Sequence, residues 1–258
     1  MKKNFLLLVF LSLFLVQRFF ATETINLDDF SYTEDQVALA QEVITILEED
    51  HFLKKSFASI QNEAFDLYLE RLDPNKNIFL SSELAEYKEA LNNKNDIKDN
   101  LKVAYDAFNT YGNRYQNRYD LQLRFLNDIS KDNLRSSKRI IRDRSKAERL
   151  ESIEGLENSW KDLIINDVIQ LMLSGNSLEE SAEKTLKRLK NQLNYFNQTR
   201  NEDVFNIYIN SISSIYGPHT SYMSPKNTED FDINMSLSLE GIGALLSPDG
   251  PYTSISSL

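Results

Sequence analysis

Apolar residues recur at intervals of three and four positions along most of the chain, which is the spacing of one face of an α-helix. Stretches of this kind, separated by polar or proline-containing breaks, predict helices over residues 33–51, 56–72, 81–91, 96–127, 160–173, 177–196 and 202–215. Two of them begin with a capping box, a hydroxyl residue followed three positions later by Gln or Glu, at Thr33 and Ser177. Strand-like alternation is absent before residue 236, so the pattern predicts a mainly α fold.

The stretch from Asp96 to Asn127 predicts the longest helix, about 48 Å at 1.5 Å per residue. Its apolar stripe contains a ladder of three tyrosines, Tyr111, Tyr115 and Tyr119. Two interpretations are open. The rings either pack against neighbouring helices or form a stacking surface for a ligand, and helical spacing favours packing.

An apolar run lies close to the N-terminus, at Phe5–Val16, after a positively charged start. A bilayer-spanning helix takes about 20 apolar residues, so this shorter run suits the core of a signal peptide. Ala21 offers a cleavage position, although Phe19 is bulkier than such sites prefer. We expect residues 1–21 to direct export to the periplasm, with an uncleaved inner-membrane anchor as the alternative.

The composition excludes several classes of function. The chain has 29 Lys and Arg against 39 Asp and Glu, a net charge of −10, and an acidic surface repels nucleic acid. It has no Cys and only two His, His51 and His219. Thiolate chemistry is therefore excluded, only carboxylates are left to hold a metal, and no metal or cofactor is expected. His51 lies at a predicted helix end, where a structural role is favoured.

Residues 131–151 reverse the charge locally, with eight basic and four acidic side chains. Such a run could contact an anionic surface. Its apolar face is thin, however, and the rest of the chain is acidic. A solvated or internally paired segment is the favoured interpretation.

Glycine and proline become frequent from Tyr216 onwards. Ser224 followed by Pro225 is an N-cap with proline at the first helical position, and predicts a short helix to about Met235. The pattern then predicts an extended segment that begins with Leu237, Leu239 and Ile242, and a glycine-containing loop at Gly241–Ala244. A proline turn at Ser247–Pro251 and a last strand at Tyr252–Leu258 follow.

Three segments resemble the tail-specific proteases, the carboxy-terminal processing family of exported serine peptidases. They are Asp143–Ala147, Asn201–Phe205 and Pro218–Leu246, the last reading PHTSYMSPKNTEDFDINMSLSLEGIGALL. The resemblance extends over the chain after residue 21 and is most specific in this last segment. Gly217 departs from the family pattern, which usually has Asp there, and this departure could loosen the turn.

The resemblance implies a helical N-terminal domain, then a PDZ module that binds the C-terminus of a substrate, then a core with a Ser nucleophile and a Lys base. The domain limits expected are 1–21 for the signal peptide or anchor, 22–235 for the helical domain and 236–258 for an incomplete start of the PDZ module. Gly241, Ile242, Gly243 and Ala244 resemble the PDZ carboxylate-binding loop, in which glycine lets backbone N–H groups approach a carboxylate.

No residue matches the Ser/Lys pair, so no catalytic residue is assigned and the chain is expected to be inactive alone. His219 is expected to be structural and not a general base. The partners expected are protein or peptide C-termini and an envelope protein, with neither nucleic acid nor metal. A helical binding or adaptor module of the periplasm, working without a catalytic core, is the alternative function.

Overall fold

Helices dominate the computed structural model, which describes residues 29–92, 94, 96–132, 134, 139–236, 243–249 and 252–257. In that part of the chain there are eight helices, α1 (Glu34–Glu49), α2 (Phe57–Leu72), α3 (Ser81–Asn92), α4 (Ile97–Asn127), α5 (Ile153–Leu173), α6 (Leu178–Phe196), α7 (Asn201–Tyr216) and α8 (Pro225–Met235). Two strands follow, β1 (Leu245–Asp249) and β2 (Tyr252–Ser257). The mainly α prediction is confirmed.

Local capping signals explain where most helices begin. Both predicted capping boxes form, with the Thr33 hydroxyl accepting from the Gln36 N–H and the Ser177 hydroxyl from the Glu180 N–H. Helix α5 begins at Ile153, several residues before the predicted start near 160. The Ser152 hydroxyl caps it by accepting from an N–H of the first turn, a signal that the apolar spacing did not reveal.

Helix α4 is the element shared by all three apolar clusters found among the described residues. Its 31 residues span about 46 Å, and it contacts six other helices. Its first half lies in the largest cluster, with α1, α2, α3 and α7. Its second half packs against α5 and α6 through Tyr119, Leu123 and Leu126, and Leu121 meets Trp160 in the third cluster. The two ends of the domain are therefore connected by one continuous helix.

The loop after α2 is organised by a buried carboxylate. Asp73, 2 % exposed, accepts the backbone N–H groups of Asn77 at 2.9 Å and of Ile78 and Phe79 at 3.1 Å. The Arg149 guanidinium donates to the same carboxylate at 2.6 Å. The sequence predicts the end of α2 at residue 72, and Pro74, two residues later, is one of the proline-containing breaks. The structure adds that Asp73 fixes the path of the chain for six residues beyond the stop.

This loop is also hydrogen-bonded to α5 and to the segment before α5. The Trp160 indole N–H donates to the Asn77 carbonyl oxygen at 2.8 Å, and the Ser81 N–H donates to the Leu150 carbonyl oxygen at 3.1 Å. In the basic segment, Arg149 is paired internally, whereas Arg142 and Lys146 are exposed. Part of that segment, residues 133 and 135–138, lies outside the described residues.

The C-terminal strands form an antiparallel hairpin in which Asp249 lies opposite Tyr252 and Leu246 lies opposite Ile255. The predicted turn over Ser247–Pro251 was too long, because residues 247–249 continue the first strand. The residues predicted to begin an extended segment, Leu237, Leu239 and Ile242, lie outside the described residues. None of the helices described is long and apolar enough to cross a membrane.

The shared helix predicts that the two ends of the domain unfold together. Asn113 is exposed near the middle of α4, and Asn113→Pro removes a backbone hydrogen bond and introduces a clash that costs about 3 kcal/mol. We expect circular dichroism and Trp160 fluorescence to report one transition in the parent chain and two separate midpoints in this variant. Asn113→Ala is the control and keeps one transition. Coincident midpoints in Asn113→Pro would contradict the coupling role of α4.

The saturated carboxylate predicts a large stability effect at Asp73. Asp73→Ala leaves three buried N–H groups and the Arg149 charge without their acceptor, so we expect the free energy of unfolding to fall by about 3–5 kcal/mol in urea denaturation. Asp66→Ala is the matched control, because the Asp66–Lys88 pair is about half exposed and is expected to contribute less than about 1 kcal/mol. Equal losses in the two variants would refute the organising role of Asp73.

Candidate functional site

The predicted carboxylate-binding loop is described in its second half only. Gly241 and Ile242 lie outside the described residues. Gly243 has a φ of +71°, in the left-handed region that costs residues with a Cβ about 1–2 kcal/mol. Ala244 is half-buried and leads directly into β1. A Cβ at Gly243 would meet no atom within 4 Å, so crowding does not require glycine there. The left-handed backbone conformation is what favours glycine at this position.

The turn between α7 and α8, residues 217–224, is held against the end of α1 by His51. The Leu53 N–H donates to His51 Nδ1 at 3.0 Å, so Nδ1 carries no proton in this arrangement. Nε2 then carries the proton and donates to the Thr220 hydroxyl at 3.0 Å. His219 is exposed and forms no hydrogen bond within the described ranges. The structural role expected of His219 was therefore wrong, and His51 has that role in its place.

Further contacts fix both ends of the turn. The Tyr216 hydroxyl donates to the Lys55 carbonyl oxygen at 2.9 Å, and the Lys55 ammonium donates to the Ile215 carbonyl oxygen at 2.8 Å. Asn210 pairs with the backbone of Tyr222 in both directions, accepting its N–H at 2.9 Å and donating to its carbonyl oxygen at 3.1 Å. The turn that follows α7 is therefore held at both ends by hydrogen bonds. Gly217, the position expected to loosen this turn, lies at its start.

An apolar groove of about 450 Å³ lies between this turn and α1. Val43, Ile46 and Leu47 form one wall, and Tyr222 and Met223 contribute to the other. Ile46 is 51 % exposed and Met223 43 % exposed. The groove offers apolar contact along these walls, and the hydrogen-bonded pair of His51 and Thr220 also lines it.

The three tyrosines of the ladder pack against neighbouring helices, as the favoured interpretation predicts, and all three also line a cavity. Tyr119 is 3 % exposed and packs with Leu123 in the second cluster. Tyr111 and Tyr115 are half-buried, with ring centroids 6.0 Å apart, and line a cavity beside Arg118. Sequence reasoning did not single out Arg118, because a lone arginine on a long helix has the pattern of a solvated charge.

No group of three His, Cys, Asp or Glu side chains in the described ranges lies close enough to hold an ion. What the described residues provide is a helical scaffold, a fixed turn and a hairpin preceded by a glycine in the left-handed conformation.

The chain is similar in sequence to a known protein family. Residues 43–226 match the family model of the tail-specific protease N-terminal domain. Over 268 aligned residues the chain is 30 % identical to the tail-specific protease of Haemophilus influenzae. That alignment covers 100 % of this chain and 38 % of the relative, so the chain corresponds to well under half of the relative's length.

The family model takes in the helices from within α1 to the start of α8, which are the helices that enclose the three apolar clusters. The chain therefore belongs to the tail-specific protease family and contains its N-terminal domain.

Proposed function

We propose that this chain is the N-terminal region of an exported tail-specific serine protease, where it positions polypeptides by their C-terminal tails for degradation. The observation that carries the proposal is the match of the whole of this chain to 38 % of a tail-specific protease. In this scheme the helical domain is a rigid support, and the turn at residues 217–224 sets where the tail-binding module begins.

The tail-binding role is assigned to Gly241–Ala244. A loop of this kind binds a carboxylate through backbone N–H groups, and a peptide then extends along the neighbouring strand edge. The left-handed conformation of Gly243 and the strand that starts two residues later support this assignment. The partner is the free C-terminus of a protein or peptide.

Cleavage is assigned to a serine nucleophile with a lysine base, as the family resemblance implies. A lysine serves as a general base when burial lowers its pKa towards neutrality. We place this pair outside the residues of this chain, so that the chain alone does not cleave. Residues 1–21 would direct export to the periplasm or form an anchor in the inner membrane.

The assignment of tail-directed proteolysis is tested with a chimera. In the chimera, this chain replaces the aligned region of the Haemophilus influenzae protein. The substrate is a small folded protein that ends in an apolar tail. The comparison substrate is the same protein with an acidic tail. We expect the chimera to degrade the apolar-tailed substrate faster, and the chain alone to leave both intact on a denaturing gel. Cleavage by the chain alone, blocked by a serine-directed inhibitor, would overturn the proposal. A chimera that is folded by circular dichroism but indifferent to the tail would also overturn it.

Gly243→Val in the chimera tests the loop itself. A β-branched residue is strained at φ +71°, so the loop should distort and KM for the apolar-tailed substrate should rise about tenfold. Gly175→Val is the matched control, since Gly175 also has a positive φ of 98° with no atom within 4 Å of its Cβ, but lies after α5. An equal rise of KM in both variants would assign the effect to general strain.

The fixed turn predicts a local effect of Asn210. Asn210→Ala removes both hydrogen bonds to Tyr222, so we expect the Tyr222 amide to exchange with solvent about tenfold faster or more in hydrogen-exchange mass spectrometry. Asn206→Ala, one turn earlier, is the control, because the buried Asn206 Oδ1 has no hydrogen-bond partner in the described part of the chain. Unchanged exchange at Tyr222 in Asn210→Ala would show that other contacts suffice to fix the turn.

A further inference from the structure

Two adjoining cavities, of about 440 and 450 Å³, meet at Arg118. They lie between α4, α5, α6 and the loop after α2, and share Tyr111, Tyr115, Gln122 and Leu189 as lining residues. Small-molecule sites in proteins typically measure about 300–1,000 Å³. The size of each cavity is therefore that of a small ligand.

The Arg118 guanidinium is poorly satisfied. A guanidinium has five N–H donors, yet among the described residues Arg118 makes one hydrogen bond, of 3.4 Å, to Asn77 Oδ1, and no ion pair. Burial lowers the pKa of Arg118, with nearby Tyr115, Tyr111 and the carboxylates opposing that shift. Arg118 is half-buried at the cavity wall, and a charge that is partly removed from water is normally paired with an anion.

The two carboxylates that line the cavity are already occupied. Asp73 is paired with Arg149 at 2.6 Å, and Asp167 with Arg188 at 2.5 Å. Neither is a partner for Arg118. Each carboxylate is balanced by its own arginine, and Arg142 also lines the second cavity. The electrostatics therefore suit an anionic ligand, and one carboxylate is enough to pair with the Arg118 guanidinium.

Aromatic rings make up the wall next to the guanidinium. Tyr115 stacks on Phe196 with ring centroids 4.7 Å apart and planes 20° apart, and Tyr195, 65 % exposed, also lines the cavity. Burial raises the pKa of Tyr111 to about 12 and also raises that of Tyr115. Both phenols are therefore neutral at physiological pH, and the wall accepts an apolar body.

We propose that the cavity at Arg118 binds the carboxylate of a monoanionic ligand with an apolar body. The planar guanidinium pairs with a carboxylate through two parallel N–H···O bonds, and the aromatic wall covers the apolar part. The last residues of a peptide and a small free organic acid share this chemistry. The site does not depend on the function proposed above, since it lies in the helical domain and involves neither proteolysis nor the loop at Gly241–Ala244.

Trp160 gives a direct signal for binding. It is the chain's single tryptophan, and its indole N–H donates to the Asn77 carbonyl oxygen at 2.8 Å, while the Asn77 side chain accepts from Arg118. A ligand that draws Arg118 away from Asn77 should change the emission of Trp160. Calorimetry measures the same binding independently.

The experiment titrates the purified chain with N-acetyl-Leu-Ala-Ala as the free acid, the same peptide as its C-terminal amide, 3-phenylpropionate and inorganic phosphate. We expect at least one of the two acids to bind, and the amide and phosphate to bind at least tenfold more weakly. Tighter binding of the peptide acid identifies a peptide end as the source, and tighter binding of 3-phenylpropionate identifies a free organic acid. Equal binding of acid and amide, binding of phosphate only, or no response to either acid at millimolar concentration would overturn the proposal.

Variants of Arg118 separate binding from structure. Arg118→Gln should raise the Kd of the bound acid about tenfold to a hundredfold, and Arg118→Lys should give an intermediate value because it keeps the charge without the planar fork. Arg124→Gln removes the same charge from an exposed position on α4 and should leave the Kd unchanged.

A stability measurement distinguishes a ligand-binding arginine from a structural one. Without ligand, Arg118→Met should raise Tm, because an apolar side chain of similar length replaces a charge that lacks an ion-pair partner. A lower Tm in Arg118→Met, together with an unchanged Kd in Arg118→Gln, would show that Arg118 is structural and would overturn the proposal.

Discussion

The Asp73 carboxylate is the interaction on which the arrangement of the helices depends. Helix α2 ends at Leu72, and without a fixed path the chain could leave it in many directions. Three backbone N–H groups and the Arg149 guanidinium bind this single carboxylate, so the loop that follows has one conformation. Burying a carboxylate is unfavourable unless its acceptor sites are filled, and here they are filled by neighbours along the chain and by one residue 76 positions away.

Because that loop is fixed, it can serve as an attachment point for the second half of the domain. The Asn77 carbonyl oxygen accepts from Trp160 and so places α5 against α4. Helix α4 then extends through both ends, contributing Leu101 to the first cluster and Leu123 to the second. The apolar clusters supply most of the stabilisation, while the polar loop determines how the elements around them are oriented relative to each other.

Contacts that are local in sequence could be predicted, and contacts between distant residues could not. The capping boxes at Thr33 and Ser177 depend on residues three positions apart, so the sequence contained the whole interaction. The role of Asp73 was hidden, since its partner Arg149 belongs to a segment that resembles a solvated basic run. His51 and His219 illustrate the same limit, because which histidine holds the turn depends on where Thr220 lies in space.

The candidate sites also depend on contacts between residues that are distant in sequence. Two arginines illustrate this. Arg149 and Arg118 are both near Asp73, and both side chains are partly buried. The Arg149 guanidinium pairs with the Asp73 carboxylate. The stability that this pair gives to the fold is enough to explain an arginine at position 149. Arg118 meets one amide oxygen at 3.4 Å and faces a cavity instead. We expect an apolar residue to be at least as stable at that position, and for this reason we assign the arginine to binding an anion and not to folding.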